Sequence, residues 1–106
     1  MGSIAVACYK PRAGCEAALR ELVRNHLPPL RAEGLVTNRD SIVMRAADGT
    51  IIEIFEWVSQ DAIAGAHHNP AVLDLWKRFE AVCTYETPSN LPEFQQIFAH
   101  FEPVTF

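Results

Sequence analysis

Apolar and polar positions along the chain change period several times, and each change marks an element. Ile4 to Tyr9 is short, apolar and β-branched at alternate positions, which predicts a first strand. Lys10 to Gly14 reads as a turn. From Cys15 the period lengthens, and Cys15, Ala18, Leu19, Leu22, Val23 and His26 fall on one helical stripe. Glu16 and Arg20 lie on the opposite side in the favourable order for a pair one turn apart. Pro28 and Pro29 lack the N–H that would continue this helix and restrict the residues before them. The helix therefore ends or kinks near Leu27, and a last turn runs to Glu33 with Gly34 as its stop.

Ser41 to Ala47 and Thr50 to Val58 are strand-like runs flanking Asp48-Gly49, a strong signal for a hairpin with a two-residue loop. Such a loop sets Arg45 opposite Ile52, Val43 opposite Ile54 and Ile42 opposite Phe55. One face then carries Ile42, Met44, Ala46, Ile51, Glu53, Phe55 and Trp57, and the other Val43, Arg45, Ile52, Ile54, Glu56 and Val58. Both faces are mainly apolar, whereas a sheet with one wet face alternates cleanly. Each side therefore needs a cover.

Ser59 is placed to cap a short helix through His68, with Asp61 in its first turn. Asn69-Pro70 opens another, Asn as cap and Pro at the first position, with Val72, Leu75, Trp76, Phe79, Val82 and Cys83 as its buried stripe. Asp74 and Arg78 pair outside it. Thr84 to Thr87 predicts a last strand, and Asn90-Leu91-Pro92 a further short helix carrying Phe94, Ile97, Phe98 and Phe101. The order β-α-β-β-α-β with a C-terminal extension is that of an α+β, ferredoxin-like fold, here a single domain over 1–106. Its helices cover one face of the antiparallel sheet. The other face is apolar too, and the same face of a second copy is the simplest cover, which predicts a homodimer.

Composition narrows the partners. The formal net charge of −4 comes without basic runs, which argues against a nucleic-acid partner and against a polybasic membrane anchor. The N-terminal apolar run from Met1 to Cys8 is too short for a signal peptide or a membrane span. Cys8, Cys15 and Cys83 are odd in number and lack metal-site spacing, which suits reduced thiols in the cytoplasm.

The element order, Glu53-Ile54-Phe55-Glu56-Trp57, and then Ala62 and His67 in the following helix, resemble the dimeric α+β barrel proteins, and among them the antibiotic biosynthesis monooxygenase-like domains. Many of those domains carry an acidic residue ending the third strand and then a His-bearing helix, positions that Glu56 and His67 match. The likeness extends through about Thr87. It implies a homodimer with a small apolar or aromatic molecule in an intrasubunit cavity. It also implies oxygenation of an aromatic or quinol-type substrate with molecular oxygen and no metal or flavin cofactor. Ala5, Val6 and Ala7 stand where haem-degrading members carry an Asn, and Val72 and Leu73 stand where some relatives place a second His.

The resemblance makes His67 the candidate base and Glu56 the carboxylate that orients it. The helical stripe through Ile63 and Ala66 turns His67 inward. A cavity His accepts a proton from a phenol or enol near neutral pH. Trp57, Trp76, Phe79 and Tyr85 are candidate walls of an aromatic pocket, with Arg45 and Tyr85 as polar anchors. His26, in the middle of an apolar stripe, either lines that cavity or bonds a carbonyl freed by Pro28. Glu53, if buried, needs a partner, and an Arg across the dimer interface is the expected one. Adjacent His67 and His68 project roughly 100° apart on a helix and so form no chelating pair. The five glycines are scattered, with no phosphate-binding loop. A ligand-binding or structural dimer without chemistry is the alternative to an enzyme.

Overall fold

The computed structural model describes residues 2–106, so Met1, the first residue of the N-terminal run, lies outside it. Strands β1 (Ser3–Pro11), β2 (Ile42–Arg45), β3 (Ile51–Trp57), β4 (Cys83–Glu86) and β5 (Glu102–Pro103) form one antiparallel sheet in the order β4-β1-β3-β2-β5. Helices α1 (Glu16–Arg24), α2 (Leu27–Ala32), α3 (Gln60–Ala66) and α4 (Pro70–Val82) complete a ferredoxin-like α+β fold. The main core lies between helices and sheet, with Leu19, Val23, Val72 and Phe79 set against Tyr9, Ile51, Phe55 and Trp57.

The helix boundaries follow the capping chemistry. The Ser59 hydroxyl accepts from Ala62 N at 3.0 Å, and Asn69 Oδ1 accepts from Ala71 N and Val72 N, with Pro70 opening α4. The two prolines break the first helix as expected, and α2 restarts with both of them in its first turn. His26 lies at that break, as the N-cap of α2.

The β2–β3 hairpin differs from the two-residue form. Gly49 N donates to Ala46 O at 3.0 Å, Ala46 N donates to Thr50 O at 2.8 Å, and Gly49 has φ of +95°. This is a three-residue loop in which a turn is followed by a left-handed glycine. Asp48 Oδ1 accepts from Thr50 N at 2.9 Å and steadies it. The extra residue slips the register by one, so that Ile42 faces Ile54, Val43 faces Glu53, Met44 faces Ile52 and Arg45 faces Ile51. The β2 side chains consequently exchange faces relative to the sequence expectation. Val43 joins Glu53, Phe55 and Trp57 under the helices, while Ile42, Met44 and Ala46 join Ile52 and Ile54 on the other side.

Beyond β4 the expected helix is replaced by two 3₁₀ turns, Pro88–Asn90 and Pro92–Gln95. This arm crosses part of the helix-free face. Leu91 and Phe101 pack over Cys8, Ala46 and Ile52, and β5 then pairs with β2 at the edge. The rest of that face is bare: Ile4, Val6 and Ile42 are about half exposed, at 54%, 44% and 59%. Ile97 and Phe98, on the arm, stand 94% and 77% exposed.

A Cβ on Gly49 would meet nothing closer than Arg45 Nη2 at 3.8 Å, so the demand for glycine is one of backbone rather than space. Gly49→Ala should lower stability by about 1–2 kcal/mol, and Gly49→Asn by less, in urea denaturation. Equal stability of all three proteins would contradict the loop geometry. Burial pushes the Cys83 thiol up to about 11 and raises that of Cys8, whereas Cys15 is only partly buried. At pH 8 both buried groups are therefore thiols rather than reactive thiolates. DTNB should titrate one of the three cysteines in the folded protein and all three in denaturant.

Candidate functional site

Between the sheet and α4 lies a cavity of about 270 Å³. Ala7, Tyr9, Phe55 and Trp57 rise from the sheet, Trp76, Phe79 and Glu80 descend from α4, Tyr85 closes the β4 side, and His26 enters from the α1–α2 break. The volume is just under the range of roughly 300–1,000 Å³ usual for ligand sites.

One polar network underlies these aromatic walls. Glu53 has no exposure, and its Oε1 accepts from the Tyr9 hydroxyl at 2.9 Å and lies 2.7 Å from His26 Nδ1. The second oxygen, Oε2, is buried without a partner among the described residues. The three groups come from β3, β1 and the helix break. Burial first, and then the charge of Glu53, hold the Tyr9 phenol well above its ordinary range, so it remains a donor at neutral pH. The His26 ring is set edge-on to Phe55 and Phe79, with centroids 5.4 and 5.0 Å apart. Glu53 thus finds its partners inside its own chain rather than in an Arg of a second copy. His26 bonds this carboxylate rather than a carbonyl freed by Pro28.

The candidates from the sequence divide into those the fold gathers and those it does not. Trp57, Trp76, Phe79, Tyr85 and His26 all line the cavity. The Tyr85 hydroxyl reaches Trp76 O at 3.4 Å and ties β4 to α4 at the mouth. Arg45 lies elsewhere, exposed at the hairpin end beside Glu93 and His100. His67 is exposed because α3 ends at Ala66, so the inward stripe stops one residue short of it; its ring abuts Trp76 with centroids 5.0 Å apart. Glu56 shares the sheet face of Ile4 and Ile54, away from the helices, and so does not orient His67. Its Oε1 instead accepts from the Thr37 hydroxyl at 2.9 Å and from Arg39 Nε at 3.2 Å, and these two donors hold it below the ordinary carboxylate range. Tyr9 carries no candidate role in the sequence. The signal that could have found it is parity: an inward Glu53 needs donors, and Tyr9 and His26 are polar residues on inward-facing stripes. Among the described residues no group of three His, Cys, Asp or Glu side chains is placed to hold a metal ion. No described helix is long and apolar enough to cross a membrane.

The solved structure of Rv0793 from Mycobacterium tuberculosis is similar to this chain, with a TM-score of 0.61 over 83% of this chain and 95% of the other, at 22% sequence identity. At that identity the likeness is one of fold. No family model and no curated protein matches the chain.

Because Trp57 and Trp76 both wall the cavity, 1-naphthol bound there should quench the tryptophan fluorescence. Ala7→Leu, which grows a side chain into the cavity, should remove the quenching. Glu56→Gln, on the other sheet face, should leave the affinity within about twofold, since a partly exposed ion pair contributes little. The opposite pattern would place binding elsewhere.

Proposed function

We propose that the protein is a homodimer in which each subunit binds a small aromatic or quinol-type molecule and oxygenates it with molecular oxygen alone, without metal, flavin or haem, as in the antibiotic biosynthesis monooxygenase-like domains it resembles. The observation that carries this reading is the 2.7 Å contact between His26 Nδ1 and a fully buried Glu53 at an aromatic-walled cavity. Within this reading the base is His26 and not His67. Its Nδ1 is engaged, so Nε2 is the nitrogen left for a ligand.

The chemistry needs only a proton acceptor and a sheltered site. His26 takes a proton from an acidic C–H or O–H of the bound ring system and leaves an electron-rich enolate. The enolate passes two electrons to oxygen as a carbon–oxygen bond forms, and the resulting peroxide recovers the proton. Loss of water then leaves a carbonyl, so that a ring CH₂ and O₂ become C=O and H₂O. The aromatic walls hold the ring flat and keep water from the carbanion.

The dimer is supported by the bare half of the sheet. Ile4, Val6 and Ile42 form an apolar patch on one face, and a two-fold axis through such a patch covers both copies at once. Three free cysteines, two of them buried, support a reducing, cytoplasmic setting.

An oxygen electrode with anthrone as the probe tests the activity, and native mass spectrometry tests the assembly. The expected result is one O₂ consumed per anthrone, a fall of about 100-fold or more in His26→Asn, and a dimer in both proteins. Binding of anthrone without oxygen uptake would replace this reading with that of a non-catalytic binding dimer.

A further inference from the structure

We infer that Glu53 and Tyr9 are positioning residues, which fix His26 in the tautomer that carries its proton on Nδ1 and leave the bare Nε2 for the cavity. This rests on the reading of His26 as proton acceptor. A carboxylate oxygen can only accept, so the nitrogen 2.7 Å from Glu53 Oε1 must be the protonated one. The neutral ring then has its lone pair on Nε2. The ring cannot easily exchange its nitrogens by flipping, because Phe55 and Phe79 stand edge-on against it. Tyr9 donates to the same oxygen at 2.9 Å and holds the carboxylate in the orientation that meets Nδ1.

Pairing of the new charge says why an apolar cavity would gain from this arrangement. A solitary His taking a proton there would create a cation and an anion together in a poorly polar site, at a high desolvation cost. With Glu53 behind it, the buried trio begins with one negative charge and ends neutral, and the negative charge passes to the ligand. The new cation forms in contact with a carboxylate instead of alone among aromatic walls. The pattern of satisfaction agrees: both side-chain hydrogen bonds to Glu53 fall on Oε1, the oxygen at His26, while Oε2 has none among the described residues. A carboxylate serving stability alone would be replaceable by an apolar side chain of its size. One serving His26 needs Oε1 engaged and tolerates an idle Oε2.

Nitrogen-15 NMR of the histidine rings tests this without ligand or oxygen. The wild-type protein should show His26 protonated on Nδ1. In Glu53→Gln an amide nitrogen at the Oε1 position donates one N–H to Nδ1 and the other to the Tyr9 hydroxyl, so the proton should move to Nε2. Tyr9→Phe, which removes only a hydroxyl, should show a mixture of the two forms and serves as the test if Glu53→Gln does not fold. Anaerobic exchange of the anthrone methylene protons with deuterium oxide should fall by about 100-fold or more in Glu53→Gln. A proton on Nε2 in the wild type, or an unchanged tautomer and exchange rate in the variants, would overturn the assignment. The expected tautomers without oxygen uptake would overturn the oxygenase reading and leave the positioning role standing. Oxygen uptake with the proton on Nε2 would do the reverse.

Discussion

A carboxylate with no access to water lies near the middle of the sheet, and the helical side of the molecule is organised by its need for donors. Glu53 is on β3, flanked by Ala7 on β1 and Val43 on β2. Neither neighbour can hydrogen-bond to it through a side chain. Its donors come from Tyr9, further along β1, and from His26 at the break between α1 and α2. Leaving such a group without one of its partners costs about 3–5 kcal/mol, a large share of the stability of a small domain. The double proline and the small Ala7 therefore belong to one arrangement. Pro28 and Pro29 end the first helix where His26 can enter, and Ala7 leaves open the space that becomes the cavity.

Most of the fold was legible because it rests on local chemistry. The Ser59 and Asn69 caps, the proline break and the order of strands all depend on residues close together in sequence. The hairpin shows the limit. Asp48-Gly49 marked the turn, but the choice between a two-residue and a three-residue loop depends on how Ala46 and Thr50 pair, and that one residue decides which face every β2 side chain occupies. The wall of the site was legible in Trp57, Trp76, Phe79 and Tyr85, since a helical stripe and strand parity both point them inward. Its polar centre was not, because Glu53 joins residues 44 and 27 positions away. His67 misleads for a reason of boundary. The periodicity continues past Ala66, while the helix itself stops there.

The helix-free face divides into two territories. Near the hairpin the C-terminal arm covers Cys8, Ala46 and Ile52 with its own Leu91 and Phe101. Further along, Ile4, Val6 and Ile42 are left about half exposed by the described residues. The aromatic-walled cavity lies on the opposite side of the sheet, and β1 serves both: Ala7 and Tyr9 line the cavity, while Ile4 and Val6 belong to the exposed patch. A shift of β1 imposed on one side would be felt on the other through the alternation of side chains.

The short β5 has a different bearing. It pairs with Met44 and Arg45 through Glu102 and Pro103, and proline brings no N–H to offer outward. A sheet edge is a template on which further chains can add, and nature blunts such edges with prolines and charges. By laying a charged residue and a proline along β2, the tail ends the growth of the sheet on that side. Lateral polymerisation is thereby discouraged at this rim, and crowded copies of the molecule are steered away from fibre formation through it.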